Sequence, residues 1–329
     1  MKAFDYAAPE REHEVLEMLS AVPGETEILA GGTDLVALMK QMIVNPDRVV
    51  NIMEAPSLRG ISADSLGITI GATTTLAEML EAPELDDYPA IKQAIEGINA
   101  VQLQSQGTLG GELCQRPRCW YFRNGHGLLA KAGRMVAEGD NRYHAIFGNA
   151  GPAKFVHPSR LAPALIALGA RLRIIGPTEE DETMLPLETF FRAPRHEGQR
   201  EHILSPDQLI THVMLPSAEG LANATYEVRH GEGPDYPLVA AAAALRMQGG
   251  LVSRASIVLG HVAPTPWLSS EAERAIVGRP VDYETARAAG EAAVAEATPL
   301  SNNVYKVQLA RVAVERAILT AAGLETGGF

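Results

Sequence analysis

Two cysteines in 329 residues, Cys114 and Cys119, are too few for a disulfide scaffold and too few to enclose a metal ion with thiolates alone. Lysine and arginine are outnumbered by aspartate and glutamate, giving a formal net charge of −12. Nucleic-acid backbones are bound by clustered cations that replace condensed counterions, so that balance argues against a nucleic-acid partner. No apolar run reaches the length of a membrane span, and the first twenty residues, "MKAFDYAAPEREHEVLEMLS", place acidic groups where a secretory leader needs an uninterrupted apolar stretch. The expectation is a cytoplasmic protein with no membrane insertion. The two common phosphate-binding fingerprints, G-x-G-x-x-G and G-x-x-x-x-G-K-[ST], are missing, and none of the nine histidines makes H-x-x-x-H or H-E-x-x-H. Metal sites built on such spacing are therefore excluded, and single histidines read as packing or solvated groups.

What is present is alternation. Val15, Leu16, Leu19 and Val22 recur at helical spacing, and "ETEILAGG" then shifts to a short apolar run that stops at glycine. "RVVNIM" (48–53) reads as a strand, and "GITIGATTTLAEML" (67–80) as a strand passing into a helix. A helix-like "RLAPALIALGA" runs through Gly169 into the strand "RLRIIG". "LVAAAAALRMQGGLVSRASIVLGHVAP" predicts two strands joined at Gly249–Gly250, and the Ala-rich tail predicts two helices. The pattern argues α+β, and the length exceeds one hydrophobic core. Residues 1–56 and 57–217 read as two parts of one domain and 218–329 as a smaller α/β domain. Residues 115–156, aromatic, basic and broken by glycines, form an irregular excursion of the kind that carries function or binds partners.

Two diglycines carry the chemistry. "EILAGGTDL" puts Gly31 and Gly32 directly after an apolar run, and "GTLGGE" puts Gly110 and Gly111 beside a second threonine. Glycine lets backbone N–H groups approach a phosphate without interference from Cβ, and consecutive N–H groups in a turn form an anion-binding nest. Thr33 and Thr108 could add hydroxyl donors. Either loop alone is equally consistent with a plain chain reversal.

In order along the chain, "LAGGTDLVALMK", "VVNI", "GITIGATTTLAEM", "GTLGGELCQRPRCWYFR", "HPSRLAPALIALGA", "LPLETFF", "LGHVAPTPW" and "YKVQLARVAVERAI" resemble the FAD-binding medium subunit of molybdenum hydroxylases, the xanthine dehydrogenase, carbon monoxide dehydrogenase and aldehyde oxidoreductase family. The resemblance covers almost the whole chain. It implies a two-part flavin-binding domain of the vanillyl-alcohol oxidase type followed by a separate carboxy-terminal domain. It also implies an oxidoreductase subunit active only in complex with a 2Fe-2S small subunit and a molybdenum-cofactor large subunit, handing electrons to an external acceptor. Carried over position by position, Ile28, Leu29, Ala30, Gly31, Gly32, Thr33, Asp34 and Leu35 would line the FAD diphosphate and ribityl chain. Thr108, Gly110, Gly111 and Glu112 would approach from the other side, and Ile210 would be an apolar contact near the flavin.

The departures from that pattern are specific. The family usually has Asn where Glu112 stands, often Asp at Arg160, and a Lys at Glu227. Carboxylates beside an anionic diphosphate predict weaker binding unless they point away, which leaves a non-catalytic scaffold subunit with a decayed flavin site as the alternative. A free-standing flavin oxidase is a third reading. In the aldehyde-oxidising branch, the segment resembling 115–156 carries cysteines for a four-iron cluster. Here Cys119 remains, while Arg134 and Ala153 stand near positions resembling other ligands, so the resemblance predicts no iron–sulfur centre and a loop kept as a docking surface. Arg116, Arg118 and Arg123 read either as a guide for an acidic partner or as a solvated basic edge, and the cluster of Trp120, Tyr121 and Phe122 reads as packing of the excursion against the core, with stacking on a ring as the alternative.

Overall fold

The structure, a computed structural model, describes residues 1–231, 233 and 235–327. Its strands fall into three sheets in chain order. The first is parallel, with β1 (Asp5–Ala7), β2 (Thr26–Leu29) and β3 (Arg48–Asn51) in the order β1-β3-β2. The second is antiparallel, with β4 (Ile61–Asp64), β5 (Gly67–Gly71), β6 (Arg171–Ile175), β7 (Glu182–Pro186) and β8 (Leu209–Pro216) in the order β4-β5-β8-β6-β7. The third joins β9 (Leu221–Val228), β10 (Val239–Gln248), β11 (Leu251–Gly260) and β12 (Trp267–Leu268) in the order β12-β11-β10-β9. This is an α+β, two-domain architecture.

The Ala-rich stretch "VAAAAAL" has helical propensity yet forms β10, and its burial explains why. Successive side chains of a strand point to opposite faces, and here both faces are covered. Ala242 and Ala244 pack into the core built around the helices Pro89–Glu96 and Leu161–Ala167, while Val239, Ala241, Ala243 and Leu245 pack with the carboxy-terminal helices. Methyl-sized side chains let helices approach the sheet from both sides. One strand thereby belongs to two cores and fixes the carboxy-terminal domain against the rest.

The hairpin between β10 and β11 turns at Gly249 and Gly250, both with positive φ (59° and 80°), as a tight turn of this twist requires. The tail holds three helices, Ser270–Ile276, Tyr283–Ala293 and Tyr305–Ala321, where the sequence pattern predicted two. The additional one is short, and the capping Ser269 is its main local signal. Thr75 closes a capping box with Glu78 at the start of the helix Leu76–Glu81, which places its N-terminus against the second diglycine segment: Leu76 N–H donates to Gly107 O at 2.9 Å.

Candidate cofactor site

β2 runs out at Leu29, and the chain turns through Ala30 to Asp34 into the helix Leu35–Lys40. Gly32 takes a left-handed conformation (φ 71°) that only glycine adopts without strain. The N–H groups of Gly31, Gly32, Thr33 and Asp34 donate to no protein acceptor among the described residues, in a segment that is exposed at Thr33 and partly buried on either side of it. Four consecutive unspent amides form a donor set that suits the oxygens of a diphosphate.

The second diglycine lies directly alongside. A Cβ on Gly31 would stand 1.5 Å from the carbonyl oxygen of Gln106, so the two segments meet backbone to backbone just before Gly107 and Thr108. Gly110 and Gly111, however, are not in an open turn. They sit in the short helix Leu109–Leu113, and its amides are already used: Leu109 donates to Thr74 O at 3.0 Å, Gly110 to Ala72 O at 2.8 Å, Gly111 to Thr108 Oγ1 at 3.2 Å and Glu112 to Thr108 O at 2.9 Å. Thr108 is buried and caps this helix. Gly110 lets the helix lie against Ala72, whose Cβ and carbonyl oxygen would each be 3.1 Å from an added methyl group. Ala72 N–H donates in turn to Thr211 O, next to the buried Ile210. The site is therefore asymmetric, with an open amide nest on one side and a close-packed wall on the other.

The side chain of Asp34 faces the excursion, while its N–H stays in the open donor set. Its carboxylate accepts from Arg116 N–H at 2.8 Å and Arg123 Nη2 at 2.8 Å, and Arg118 Nη1 stands at 3.4 Å. Arg116 also donates to Glu201 at 2.8 Å and lies over the Phe122 ring, while Arg118 lies over Tyr236, whose hydroxyl donates to Gln115 Oε1. The two readings of these arginines as a solvated or partner-steering edge give way to an internal role: they fasten residues 115–123 onto the first diglycine loop. Sequence spacing could not show this, because Asp34 lies more than 80 residues away from its partners.

Glu112 and Glu227, expected to repel a diphosphate, both face Arg160. Glu112 accepts from Arg160 N–H and from Ser159 Oγ, each at 3.3 Å, and Glu227 Oε2 lies 3.2 Å from Arg160 Nη1. Burial pushes the carboxyl of Glu112 up and that of Glu227 up to about 7, in both cases against the pull of Arg160. Arg160 and Glu227, two of the departures named above, meet in one ion pair. That two departures of opposite charge occur in one chain was the signal available in the sequence.

Farther along the excursion, Cys119 Sγ lies 3.1 Å from His144 Nε2, and Trp120 meets Tyr143 and His144 edge-on, with ring centroids 5.5 Å apart in each pair. Burial raises the Cys119 thiol and, with Lys306 nearby, pulls His144 down to about 4. Both groups are neutral near pH 7, which makes the pair packing rather than an activated nucleophile.

A parallel three-stranded sheet and an antiparallel five-stranded sheet flanking an amide nest, followed by a helix-backed antiparallel sheet, define a two-domain flavin-binding architecture. Residues 2–218 match the family model described as "FAD binding domain in molybdopterin dehydrogenase", and residues 224–321 match "CO dehydrogenase flavoprotein C-terminal domain". The chain belongs to this family of oxidoreductase flavoproteins, and FAD is its cofactor. It is 29% identical to the aldehyde oxidoreductase FAD-binding subunit PaoB of Escherichia coli, covering 94% of this chain and 96% of that one. It is 25% identical to the carbon monoxide dehydrogenase medium chain of Hydrogenophaga pseudoflava, covering 97% and 96%. A solved carbon monoxide dehydrogenase from Hydrogenophaga pseudoflava shares the fold with a TM-score of 0.77 at 24% identity, over 97% of each chain. A quinoline 2-oxidoreductase from Pseudomonas putida 86 does so with a TM-score of 0.75 at 24% identity, over 98% of this chain and 99% of that one. No helix among the described residues is long and apolar enough to cross a membrane.

Proposed function

We propose that this chain is the electron-transfer subunit of a molybdenum-containing hydroxylase or dehydrogenase: it takes electrons from 2Fe-2S clusters on a small subunit, supplied by a molybdenum-cofactor large subunit, and passes them to an external acceptor. The observation that carries the reading is the row of unspent amides from Gly31 to Asp34, pressed against the backbone of the second diglycine segment at Gln106. FAD supplies the redox chemistry when bound. The chain's part is to hold the diphosphate on those amides and to wall the cleft with Ile210 and Gly110. No acid–base pair of its own is required for that task. The relatives' names, medium chain and FAD-binding subunit, support a place within a larger assembly. The excursion, fastened at Asp34 and presenting the half-exposed Tyr143, is the surface we assign to a partner.

A visible spectrum of the purified complex tests this. Bands at ~370 and ~450 nm, where oxidised flavins absorb, together with bleaching on addition of the complex's substrate, are expected. A colourless chain that still copurifies with two partners would establish the scaffold reading instead. Turnover by the isolated chain would establish a free-standing oxidase.

A further inference from the structure

The helix that leaves the first diglycine loop, Leu35–Lys40, is built onto the excursion. Its Leu38 is buried in one apolar cluster with Phe122, Leu128, Leu129, Ala153 and Phe155, all of which come from residues 115–156. Removal of those side chains from water holds the helix where the excursion holds it. Asp34, the residue before the helix, ties the two together a second time. Its Oδ2 accepts from Arg116 N–H and its Oδ1 from Arg123 Nη2, both at 2.8 Å, so each oxygen has a donor of its own. Arg123 is fixed in turn. Its Nε donates to Pro117 O at 2.8 Å, Nη2 donates also to Arg116 O at 2.9 Å, and the side chain is 14% exposed.

Asp34 thereby belongs to two structures at once, to the open amide row through its N–H and to the excursion through its carboxylate. The aspartate side chain is short, so with both oxygens held its amide cannot be re-aimed on its own. Charge gives the arrangement a second consequence. A bare carboxylate on the residue that presents an amide to a diphosphate would repel that ligand. Arg123 at 2.8 Å and Arg118 at 3.4 Å from Oδ1 offset it, whereas the Arg116 guanidinium is taken by Glu201 at 2.8 Å.

We propose that the excursion is a positioning element of the cofactor nest, with Arg123 as its central residue: by holding the Asp34 carboxylate it aims the Gly31–Asp34 amides and offsets the carboxylate's charge, so that FAD binding and docking of the excursion are one coupled equilibrium. The proposal rests on the flavin reading above. Arg123 and the Asp34 side chain are positioning groups in this scheme, and only backbone amides meet the diphosphate. Coupling of this kind is reciprocal. The factor by which a loosened excursion weakens FAD binding is the factor by which bound FAD tightens the docked excursion. The surface assigned above to a partner is then firm only when the cofactor is in place.

The test follows the full chain by two readouts: FAD affinity, from quenching of flavin fluorescence as the flavin-free protein is titrated, and amide hydrogen exchange of residues 116–123 with and without saturating FAD. In the wild type, FAD is expected to slow exchange in that segment by ~10-fold. Arg123→Met is expected to bind FAD ~10-fold more weakly and to lose most of the FAD-dependent protection. Arg123→Lys keeps the charge but not the forked hydrogen bonds, and is expected to fall between the two. Adding Asp34→Asn to Arg123→Met removes the stranded negative charge and is expected to recover part of the affinity. Should Arg123→Met fail to fold, Arg123→Lys decides by the same two readouts. A wild type that binds FAD with unchanged exchange at 116–123 overturns the coupling. So does a variant with wild-type FAD affinity, including one whose flavin-free thermal midpoint has dropped, since Arg123 then serves the fold alone. A wild-type chain that takes up no FAD overturns the flavin reading itself and the coupling with it, an outcome distinct from FAD binding without protection.

Discussion

The carbonyl oxygen of Gln106 occupies the place where a side chain on Gly31 would begin, 1.5 Å from an ideal Cβ. The contact is backbone to backbone, so no rotamer change relieves it. Alanine at position 31 has to push the two segments apart by about 2 Å to reach an ordinary van der Waals separation. Gly31→Ala is therefore expected to cut FAD affinity by about tenfold or more, corresponding to roughly 1.4 kcal/mol, with a smaller effect on the melting temperature of the flavin-free chain. Gly32→Ala meets only side-chain tips, Val36 at 3.1 Å and Leu29 at 3.4 Å, and carries the left-handed φ of 71°, which predicts a milder cost of about 1 kcal/mol. Titration of each apoprotein with FAD ranks the two, and a Gly32 variant weaker than the Gly31 variant contradicts the loop-contact account.

Asp34 carries a different load. Its carboxylate accepts from one backbone N–H and one guanidinium of the excursion, with a second guanidinium at 3.4 Å, and its side chain is 13% exposed. Removing the charge strands the Arg118 and Arg123 guanidiniums partly buried without their common acceptor and leaves the Arg116 N–H unpaired, while the Arg116 guanidinium keeps Glu201. Asp34→Ala is expected to cost about 2–4 kcal/mol in global stability and to open residues 115–156 to proteases, because breaking one side of a buried pair leaves the other uncompensated. Urea unfolding together with limited proteolysis measures both. Cleavage confined to other segments would contradict the role of Asp34 as the excursion's anchor.

Local chemistry made much of this molecule legible from sequence. Strand–glycine–helix order announced β2 and the first diglycine loop, and Gly249–Gly250 announced the hairpin of β10 and β11. What the sequence could not convey is how backbone amides are spent. Gly31 and Gly110 look alike as letters, yet the amides around Gly31 are open while that of Gly110 is bonded to Ala72, a residue remote in the chain. The same limit applies to charge. Glu112 and Glu227 read one at a time as liabilities for an anionic ligand, and only their convergence on Arg160 compensates them. The small helix Ser270–Ile276 went unread because it is short, whereas β9 went unread although its eight residues alternate apolar Ala222, Ala224, Tyr226 and Val228 with polar Asn223, Thr225 and Glu227.

The excursion stores strain that can be released. Ala130, Lys131 and Ala132 all take left-handed φ values (47°, 59° and 57°), followed by Gly133 at 84°. Successive non-glycine residues in that region cost roughly 1–2 kcal/mol each. Lys131 is exposed, so Lys131→Gly removes strain without opening a cavity and is expected to stabilise the chain by about 1 kcal/mol, read as a higher midpoint in urea. Ala130 is buried, and Ala130→Gly there trades strain against lost packing and gains less. A destabilised Lys131→Gly variant would mean that this turn is not held in the left-handed region in solution.

Lys306 offers a pH-dependent test of how the excursion is tied to the carboxy-terminal domain. Its amine is buried and donates to the carbonyl oxygens of His261 at 2.6 Å and His144 at 3.2 Å, with no carboxylate in its ion-pair range among the described residues. Burial pulls it from an ordinary 10.5 down to about 7. The unfolded chain then binds the proton more tightly than the folded one between those two values, so folding stability rises with pH across that window and the gain is lost as pH falls through 7. The slope contributed by this one group approaches about 1.4 kcal/mol per pH unit in mid-window. Lys306→Met keeps much of the side-chain volume and cannot titrate. Urea midpoints of the two proteins at pH 7, 8 and 9 are expected to diverge, with the wild type gaining on Lys306→Met at each step even where both change through other groups. Parallel profiles over that range would mean that the amine reaches water and that the junction between His144 and His261 is open in solution.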